Sequence, residues 1–280
     1  SDECLARVTQ LPEDWGAKEL WCKTPLSPDR LKYSEFSQDG KYALTMALQD
    51  SRVQIWDVES ESLYNTIYLE SLSKINNSKF SNNDSNIVVR TLSGIEVYDI
   101  HTAKRIYEIP SSVFLVNSFT ILHSTNQLVA AGRGLVNNEI CHHIKIWNLD
   151  NGDLISEICG NTDSRHQNDI ETIAISDNGR TIVTSSNRDK SIKIWNVASK
   201  INILTINENI GKTIIDLDYN GEIFGFVSVS YGGLKIFDVN NGNILFEMSG
   251  VYRYLDISSD GKKLVLSKDD SIESWKIDTE

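Results

Sequence analysis

A short pattern of apolar and polar positions recurs six times along the chain. It runs apolar, polar, apolar, aromatic, acid or amide, apolar, and its last copy is degenerate. The copies occupy residues 53–58, 95–100, 144–149, 192–197, 234–239 and 272–277. Their aromatic residues are 42, 49, 48, 42 and 38 positions apart. Such alternation, with many β-branched residues, predicts a β-strand with one face more buried than the other.

Each copy lies between two predicted turns. The upstream turns are rich in Asp, Asn and Gly, which favour hairpins because they tolerate positive φ or form Asx turns. These turns are 37–40, 81–84, 176–179, 219–221 and 258–261. Downstream, a second turn precedes a further apolar run, as at 154–158 and 244–248. Each period therefore predicts four short antiparallel strands, which we name a to d.

The repeated unit predicts the fold class. Four strands repeating about every 40–45 residues are typical of a blade of a β-propeller. One blade buries little apolar surface alone, so its faces become core only between neighbouring blades. No segment has the pattern of an amphipathic helix. We therefore expect an all-β fold, a single β-propeller of four-stranded antiparallel blades.

The third strands resemble those of WD-repeat proteins. The resemblance rests on Trp-Asp at residues 56–57 and Trp-Asn at 147–148 and 195–196, and it covers about residues 18–280. It implies a rigid interaction platform. The relation is remote, because Tyr98 and Phe237 replace the Trp in two repeats and the usual Gly-His dipeptide is nowhere complete.

The resemblance also implies a buried hydrogen-bond network in the fourth repeat. In the family, the network joins a His before strand a, a hydroxyl on strand b, an Asp in the b–c turn and the Trp on strand c. The matching residues here are His166, Ser185, Asp189 and Trp195. The first repeat departs from the pattern, with Met46 where the hydroxyl belongs.

The number of blades depends on the two ends of the sequence. Six a-b-c units are visible, and the last has no strand d after it. Residues 18–24 fit as that missing strand, which gives six blades over residues 18–280. Residues 6–11 instead resemble a strand c, so residues 1–17 form an N-terminal extension or the remnant of a preceding blade. A seven-bladed or incomplete propeller is the alternative.

Net charge, the length of apolar runs and the number of cysteines indicate which partners and which cellular compartment to expect. The 280 residues carry 27 Lys and Arg against 39 Asp and Glu, a formal charge of −12. This balance argues against nucleic-acid binding, because phosphate backbones require positive surface. No apolar run reaches the roughly 18 residues that cross a bilayer, which predicts no membrane insertion. The four cysteines (residues 4, 22, 141 and 159) show no metal-ligand spacing, so we expect a reducing, cytoplasmic compartment.

No catalytic constellation is visible, and we expect neither an enzyme, a cofactor nor a metal. Cys141, His142 and His143 are consecutive, and consecutive strand residues point to opposite faces, so all three cannot easily bind one metal. We interpret them as part of an extended hairpin. His166 is a candidate general base, but the family resemblance gives it a structural role.

Arginine distribution points to one face of the predicted propeller. In WD-repeat propellers the b–c and d–a connections share the top face, and arginines cluster in these connections here. Arginine and tyrosine often dominate binding energy at interfaces. The predicted partner-binding residues are Arg52, Arg188, Tyr231, Arg253 and Lys268. Acidic residues lie in the same loops, so a solvated mixed-charge rim is the competing interpretation.

Three functions are open on the sequence alone. The first is a non-catalytic scaffold that docks a peptide or partner domain on the top face. The second is a C-terminal sensor or regulatory propeller of a larger multidomain signalling protein. The third is a propeller enzyme with a cofactor in its central channel, and the mostly apolar innermost strands argue against it.

Overall fold

The structure is a computed structural model that forms two compact units, residues 1–112 and 113–280. It describes residues 6–10, 18–23, 31–47, 51–69, 75, 77–82, 84–136, 139–161, 164–268 and 271–277. Nearly all regular structure in these ranges is β-strand, as the sequence predicts, with one 3-10 turn at His123–Thr125. Among these described residues, no helix is long and apolar enough to cross a membrane.

The first unit contains a hairpin and two four-stranded sheets. The hairpin pairs β1 (Ala6–Gln10) with β2 (Lys18–Lys23). The first sheet contains β3 (Leu31–Phe36), β4 (Tyr42–Ala47), β5 (Arg52–Asp57) and β6 (Ser62–Tyr68). The second sheet contains β7 (Asn77–Phe80), β8 (Asn86–Arg90), β9 (Gly94–Asp99) and β10 (Arg105–Pro110). In both sheets, each strand pairs antiparallel with the next in the chain.

The second unit contains four more sheets of the same topology. The third sheet contains β11 (Leu115–Leu122), β12 (Gln127–Val136), β13 (Glu139–Asn148) and β14 (Leu154–Ile158). The fourth contains β15 (Thr172–Ile175), β16 (Thr181–Ser186), β17 (Ser191–Asn196) and β18 (Ile201–Asn207). The fifth contains β19 (Thr213–Leu217), β20 (Ile223–Ser228), β21 (Leu234–Asp238) and β22 (Ile244–Met248). The sixth contains β23 (Tyr254–Ile257), β24 (Lys263–Ser267) and β25 (Ile272–Lys276).

Six antiparallel sheets of three or four strands are the strand content of a propeller of about six blades. The sequence placed strands d of the third and fifth repeats at the residues where they occur. The described sixth sheet has three strands, and β2 pairs with β1 as a hairpin. Assignment of residues 18–24 as the missing strand, and of residues 1–17 as an extension or blade remnant, stays a prediction.

Within each unit, the apolar core lies between successive sheets, as expected for blades that bury little surface alone. One cluster joins Ile144 and Ile146 of the third sheet to Ile182 and Trp195 of the fourth. The next cluster joins the fourth sheet to the fifth, and another joins the fifth to the sixth. Within the first unit, a similar cluster joins its two four-stranded sheets. Each sheet is therefore stable only with a neighbour against its face.

Strand c of the second and fourth repeats differs from its sequence prediction. Alternation predicts one face more buried than the other, yet β9 and β17 are buried along nearly their whole length. β17 lies inside the fourth sheet and between the third and fifth sheets, so both of its faces are covered. Its polar residue, Lys193, is buried with a partner directly across on strand d, and Lys193 Nζ lies 3.2 Å from Thr205 Oγ1. Polar alternation here reflects a cross-strand pair rather than exposure to solvent.

The acid or amide after the aromatic residue holds the following c–d turn. Asn196 Oδ1 accepts hydrogen bonds from the backbone N and the Oγ of Ser199, both at 2.9 Å. Asp57 makes the same pair of contacts with Ser60 at 2.8 Å. A short side-chain acceptor at this position stabilises the turn by an Asx-type bond.

We expect Asn196→Ala to lower the free energy of unfolding by about 1 kcal/mol, because two hydrogen bonds to the turn are lost. Asn196→Asp is the matched control, since it keeps an acceptor oxygen at the same position. Urea denaturation of the three proteins measures the difference. An aspartate variant as unstable as the alanine variant would contradict the role of the acceptor.

Candidate functional site

A buried hydrogen-bond network crosses the fourth sheet at the end where β16 meets β17. His166 Nδ1 lies 3.0 Å from Asp189 Oδ2, and His166 Nε2 lies 2.9 Å from Thr184 Oγ1. Trp195 Nε1 donates to the same hydroxyl at 2.8 Å. One proton assignment satisfies every group: Trp195 donates to Thr184, Thr184 donates to Nε2, and Nδ1–H donates to Asp189.

The hydroxyl of this network is Thr184, so the placement of Ser185 in it is wrong. Ser185 Oγ instead bonds Thr213 Oγ1 at 2.8 Å, because adjacent residues on β16 point to opposite faces. Ile182 pairs with Trp195 in the register, and Thr184 is two residues further along the same face. The first sheet follows the same rule. Thr45, not Met46, accepts from Trp56 Nε1 at 2.9 Å.

Burial and hydrogen bonds within the network shift the pKa values of Asp189 and His166. Burial alone raises the pKa of Asp189, but bonds from His166, the Asn168 side chain and the Gln167 backbone hold it well below its usual range. Burial lowers the pKa of His166, against the opposing effect of Asp189. A neutral imidazole bonded at both nitrogens has no free lone pair with which to act as a base.

The predicted partner-binding residues lie where the b–c turns and the d–a connections meet. Backbone bonds join the two kinds of loop within a sheet, as from Glu208 N to Lys190 O at 2.8 Å. We call this end of the sheets the loop end. In the second unit it carries Arg188 and Arg253, both exposed, and Tyr231, which is 68% exposed. Arg52, half-buried at the start of β5, belongs to the first unit.

Lys268, the fifth predicted residue, is already engaged within the sixth sheet. Its ammonium group bonds Glu273 and lies 5.5 Å from the centre of the Tyr252 ring. The bond from Lys268 lowers the pKa of Glu273. A lysine held by a carboxylate and an aromatic ring has less capacity to bind a partner than the exposed arginines.

A polar groove opens at the loop end, between the b–c turn of the fourth sheet and the connection that follows β18. Its lining residues are Asp189, Lys190, Asn207, Glu208 and Asn209, and its volume is about 420 Å³. An adjoining depression of about 220 Å³ shares Glu208 and Asn209 and reaches Tyr231. In its lining, Lys235 Nζ bonds Glu208 and lies 3.6 Å from Glu247 Oε1. The sequence analysis missed this groove because the d–a connection has no motif of its own.

The cysteines differ from the sequence expectation. Cys141 and Cys159 form a disulfide across the c–d hairpin of the third sheet, whereas a reducing compartment favours free thiols. Because side chains alternate along a strand, His142 lies on the opposite face of β13 from Cys141 and His143. Its Nδ1 lies 3.2 Å from Asp169 Oδ1. Cys141 and His143 share the other face, where their ligand atoms and that of Cys159 lie within 4.8 Å of one another. The c–d hairpin of the third sheet therefore holds three metal-ligand side chains together.

Comparison with known proteins singles out the fourth repeat. Residues 158–196 match the family model described as WD domain, G-beta repeat. This segment contains His166, Thr184, Asp189 and Trp195, the whole of the buried network. No curated protein matches the chain.

Proposed function

We propose that this chain, which belongs to a WD-repeat, propeller-like family, is a non-catalytic scaffold that docks a peptide or partner domain at its loop end. Repeats of this family build protein-interaction scaffolds, in which loops on a stable framework carry the binding residues. The framework here consists of sheets that share their apolar cores, and the buried network of the fourth sheet fixes the b–c turn beside the groove.

The observation that carries the proposal is the combination of groove and anchors in the second unit. Exposed Tyr231 borders the depression that adjoins the groove, and exposed Arg188 lies in the turn that supplies Asp189 and Lys190. Tyrosine and arginine are the residue types that most often anchor interfaces. Because the chain is acidic overall, long-range attraction favours partners that are not themselves acidic, and local geometry provides specificity.

We expect the triple variant Arg188→Glu, Tyr231→Ala, Arg253→Glu to bind its partner at least ~10-fold more weakly, since each lost anchor costs 1 kcal/mol or more. Partners are first captured on the wild-type chain from lysate and identified by mass spectrometry. The dissociation constant of the most enriched partner is then measured for both proteins by calorimetry.

A matched control uses the opposite end of the same sheets. Arg180 and Tyr219 are exposed at the a–b turns, so the variant Arg180→Glu, Tyr219→Ala changes similar side chains away from the loop end. We expect this control to bind like the wild type. Equal affinity of the triple variant and the wild type, or a loss confined to the control, would refute docking at the loop end.

A further inference from the structure

The third sheet presents four metal-ligand side chains on one face of two neighbouring strands. Cys141 and His143 are two residues apart on β13, and Glu157 and Cys159 are two residues apart at the end of β14. The register pairs Lys145 with Glu157, and two residues further it sets Cys159 opposite His143. Since side chains alternate along a strand, all four lie on one face. Two antiparallel strands thereby form a compact Cys-x-His and Glu-x-Cys arrangement.

The imidazole of His143 is buried and its Nε2 has no hydrogen-bond partner. Its Nδ1 lies 2.9 Å from the backbone oxygen of Cys141, to which it donates. This bond leaves the lone pair on Nε2, which faces Glu157 Oε1 at 3.4 Å. Two acceptors at this distance repel, and a cation between them removes the repulsion. Metal-binding histidines commonly donate their second N–H to a backbone carbonyl in this way.

The spacing of the ligand atoms fits a tetrahedral zinc ion. One ring nitrogen of His143 and the two sulfur atoms all lie within 4.8 Å of one another. In a tetrahedral site with Zn–S of ~2.3 Å and Zn–N of ~2.1 Å, the ligand atoms are ~3.5–3.8 Å apart. Small shifts therefore suffice once the S–S bond is open. Thiolate and imidazole are the ligands that zinc prefers in proteins.

We propose that Cys141, His143 and Cys159, with Glu157 beside them, form a zinc site that accepts Zn²⁺ only when the Cys141–Cys159 disulfide is reduced. Two thiolates, one imidazole and one carboxylate complete the four ligands of a closed site. Lys145 Nζ, 3.6 Å from Glu157 Oε2, offsets the excess negative charge of this ligand set. The disulfide and the zinc ion are alternative links between β13 and the end of β14.

Reduction of the Cys141–Cys159 disulfide precedes zinc binding. An external dithiol breaks the S–S bond by thiol–disulfide exchange, gives two electrons and two protons to the cysteine sulfur atoms, and becomes a disulfide itself. Zn²⁺ then displaces one proton from each thiol and forms two Zn–S bonds, with no further electron transfer. An external disulfide reverses this change by thiol–disulfide exchange: it takes two electrons from the two thiolates and, with two protons from solvent, becomes a dithiol. The Cys141–Cys159 disulfide that forms removes two of the four ligands and releases Zn²⁺.

The test compares the oxidised and the reduced full chain. The disulfide is reduced with a phosphine under argon, the phosphine is removed, and Co²⁺ is added as a spectroscopic probe before displacement by Zn²⁺. We expect one equivalent of Co²⁺ to bind the reduced protein, with thiolate charge-transfer and tetrahedral ligand-field bands. The oxidised protein gives neither band. Reduced protein without these bands, or oxidised protein with them, overturns the proposal.

Variants assign the ligands. Cys159→Ser abolishes the bands, and Glu157→Gln weakens Zn²⁺ binding by ~10–100-fold in competition with a chromophoric chelator. His143→Ala weakens binding at least as much, whereas His142→Ala, on the opposite face, leaves it unchanged. The double variant Cys4→Ser, Cys22→Ser also leaves it unchanged. Equal effects of the two histidine variants, or loss of binding in the Cys4, Cys22 variant, contradict this assignment of ligands. The comparison of oxidised with reduced wild type does not depend on any variant.

Discussion

We expect Thr184→Val to lower the free energy of unfolding by about 3 kcal/mol, because the change keeps the volume of the side chain and removes only its hydroxyl. Trp195 Nε1 and His166 Nε2 both bond this hydroxyl in the buried network. Each buried polar group left without a partner costs about 1–3 kcal/mol. Urea denaturation, followed by the fluorescence of the tryptophans, gives the change in free energy.

Two control variants separate this effect from the general cost of losing a hydroxyl. Thr45→Val leaves only Trp56 Nε1 without its partner, so we expect about half the loss. Ser185→Ala removes a bond to Thr213 outside the network and costs about 1 kcal/mol. A Ser185 variant less stable than the Thr184 variant would contradict the network as described.

The repeat pattern predicts the strands of this protein well because strand c carries three signals at once. Its β-branched residues favour a strand, its aromatic residue fills the space between sheets, and its acid or amide caps the next turn. The Asn196–Ser199 contact shows the turn signal. Phe237 shows the packing signal, because it belongs to the core cluster that joins the fourth and fifth sheets. Burial of the polar position was not predictable from alternation, because a cross-strand partner such as Thr205 is visible only once β17 and β18 are paired.

The residues that form each side-chain site depend on the register of the paired strands. The sequence alone defines this register only to within one residue. Ser185 and Thr184 both carry a hydroxyl, and only the pairing of Ile182 with Trp195 decides between them. The c–d pairing also shifts beside the aromatic residue, as between Ile194 and Trp195, through a β-bulge. Cys141 and Cys159 are 18 residues apart in the sequence, and only the c–d register brings them together. A search for the short spacings of metal ligands therefore missed this pair.

Titration of the Asp216 carboxyl group is expected to have a large effect on stability. It lies on β19, and its Oδ2 accepts a hydrogen bond of 2.6 Å from Ile257 N on the neighbouring β23. Burial raises its pKa to about 7, with help from the charges of Asp256 and Asp177 and against the bonds from the Ile257 and Leu217 backbones. The native state therefore keeps this carboxyl protonated at pH values where the unfolded chain does not.

The sign of the pH effect follows from this difference in bound protons. Between the ordinary pKa of 3.8 and about 7, the native state binds the extra proton, so stability falls as the pH rises through this window and levels off above it. A shift of this size corresponds to about 4 kcal/mol. Buried histidines such as His166, whose pKa is lowered by burial, contribute the opposite slope, so the wild-type profile alone does not isolate Asp216.

We therefore expect Asp216→Asn to gain stability relative to the wild type as the pH rises from 4 to 8, by up to about 4 kcal/mol. Asparagine is a neutral acceptor for the Ile257 N–H, so it mimics the protonated acid throughout. Urea denaturation at each pH gives the difference between the two proteins. Asp256→Asn is the control, because it leaves Asp216 in place and removes one charge that raises the pKa of Asp216. We expect it to narrow the pH range over which stability falls. A constant difference between Asp216→Asn and the wild type across this range would show that Asp216 is ionised in the native protein at every pH tested.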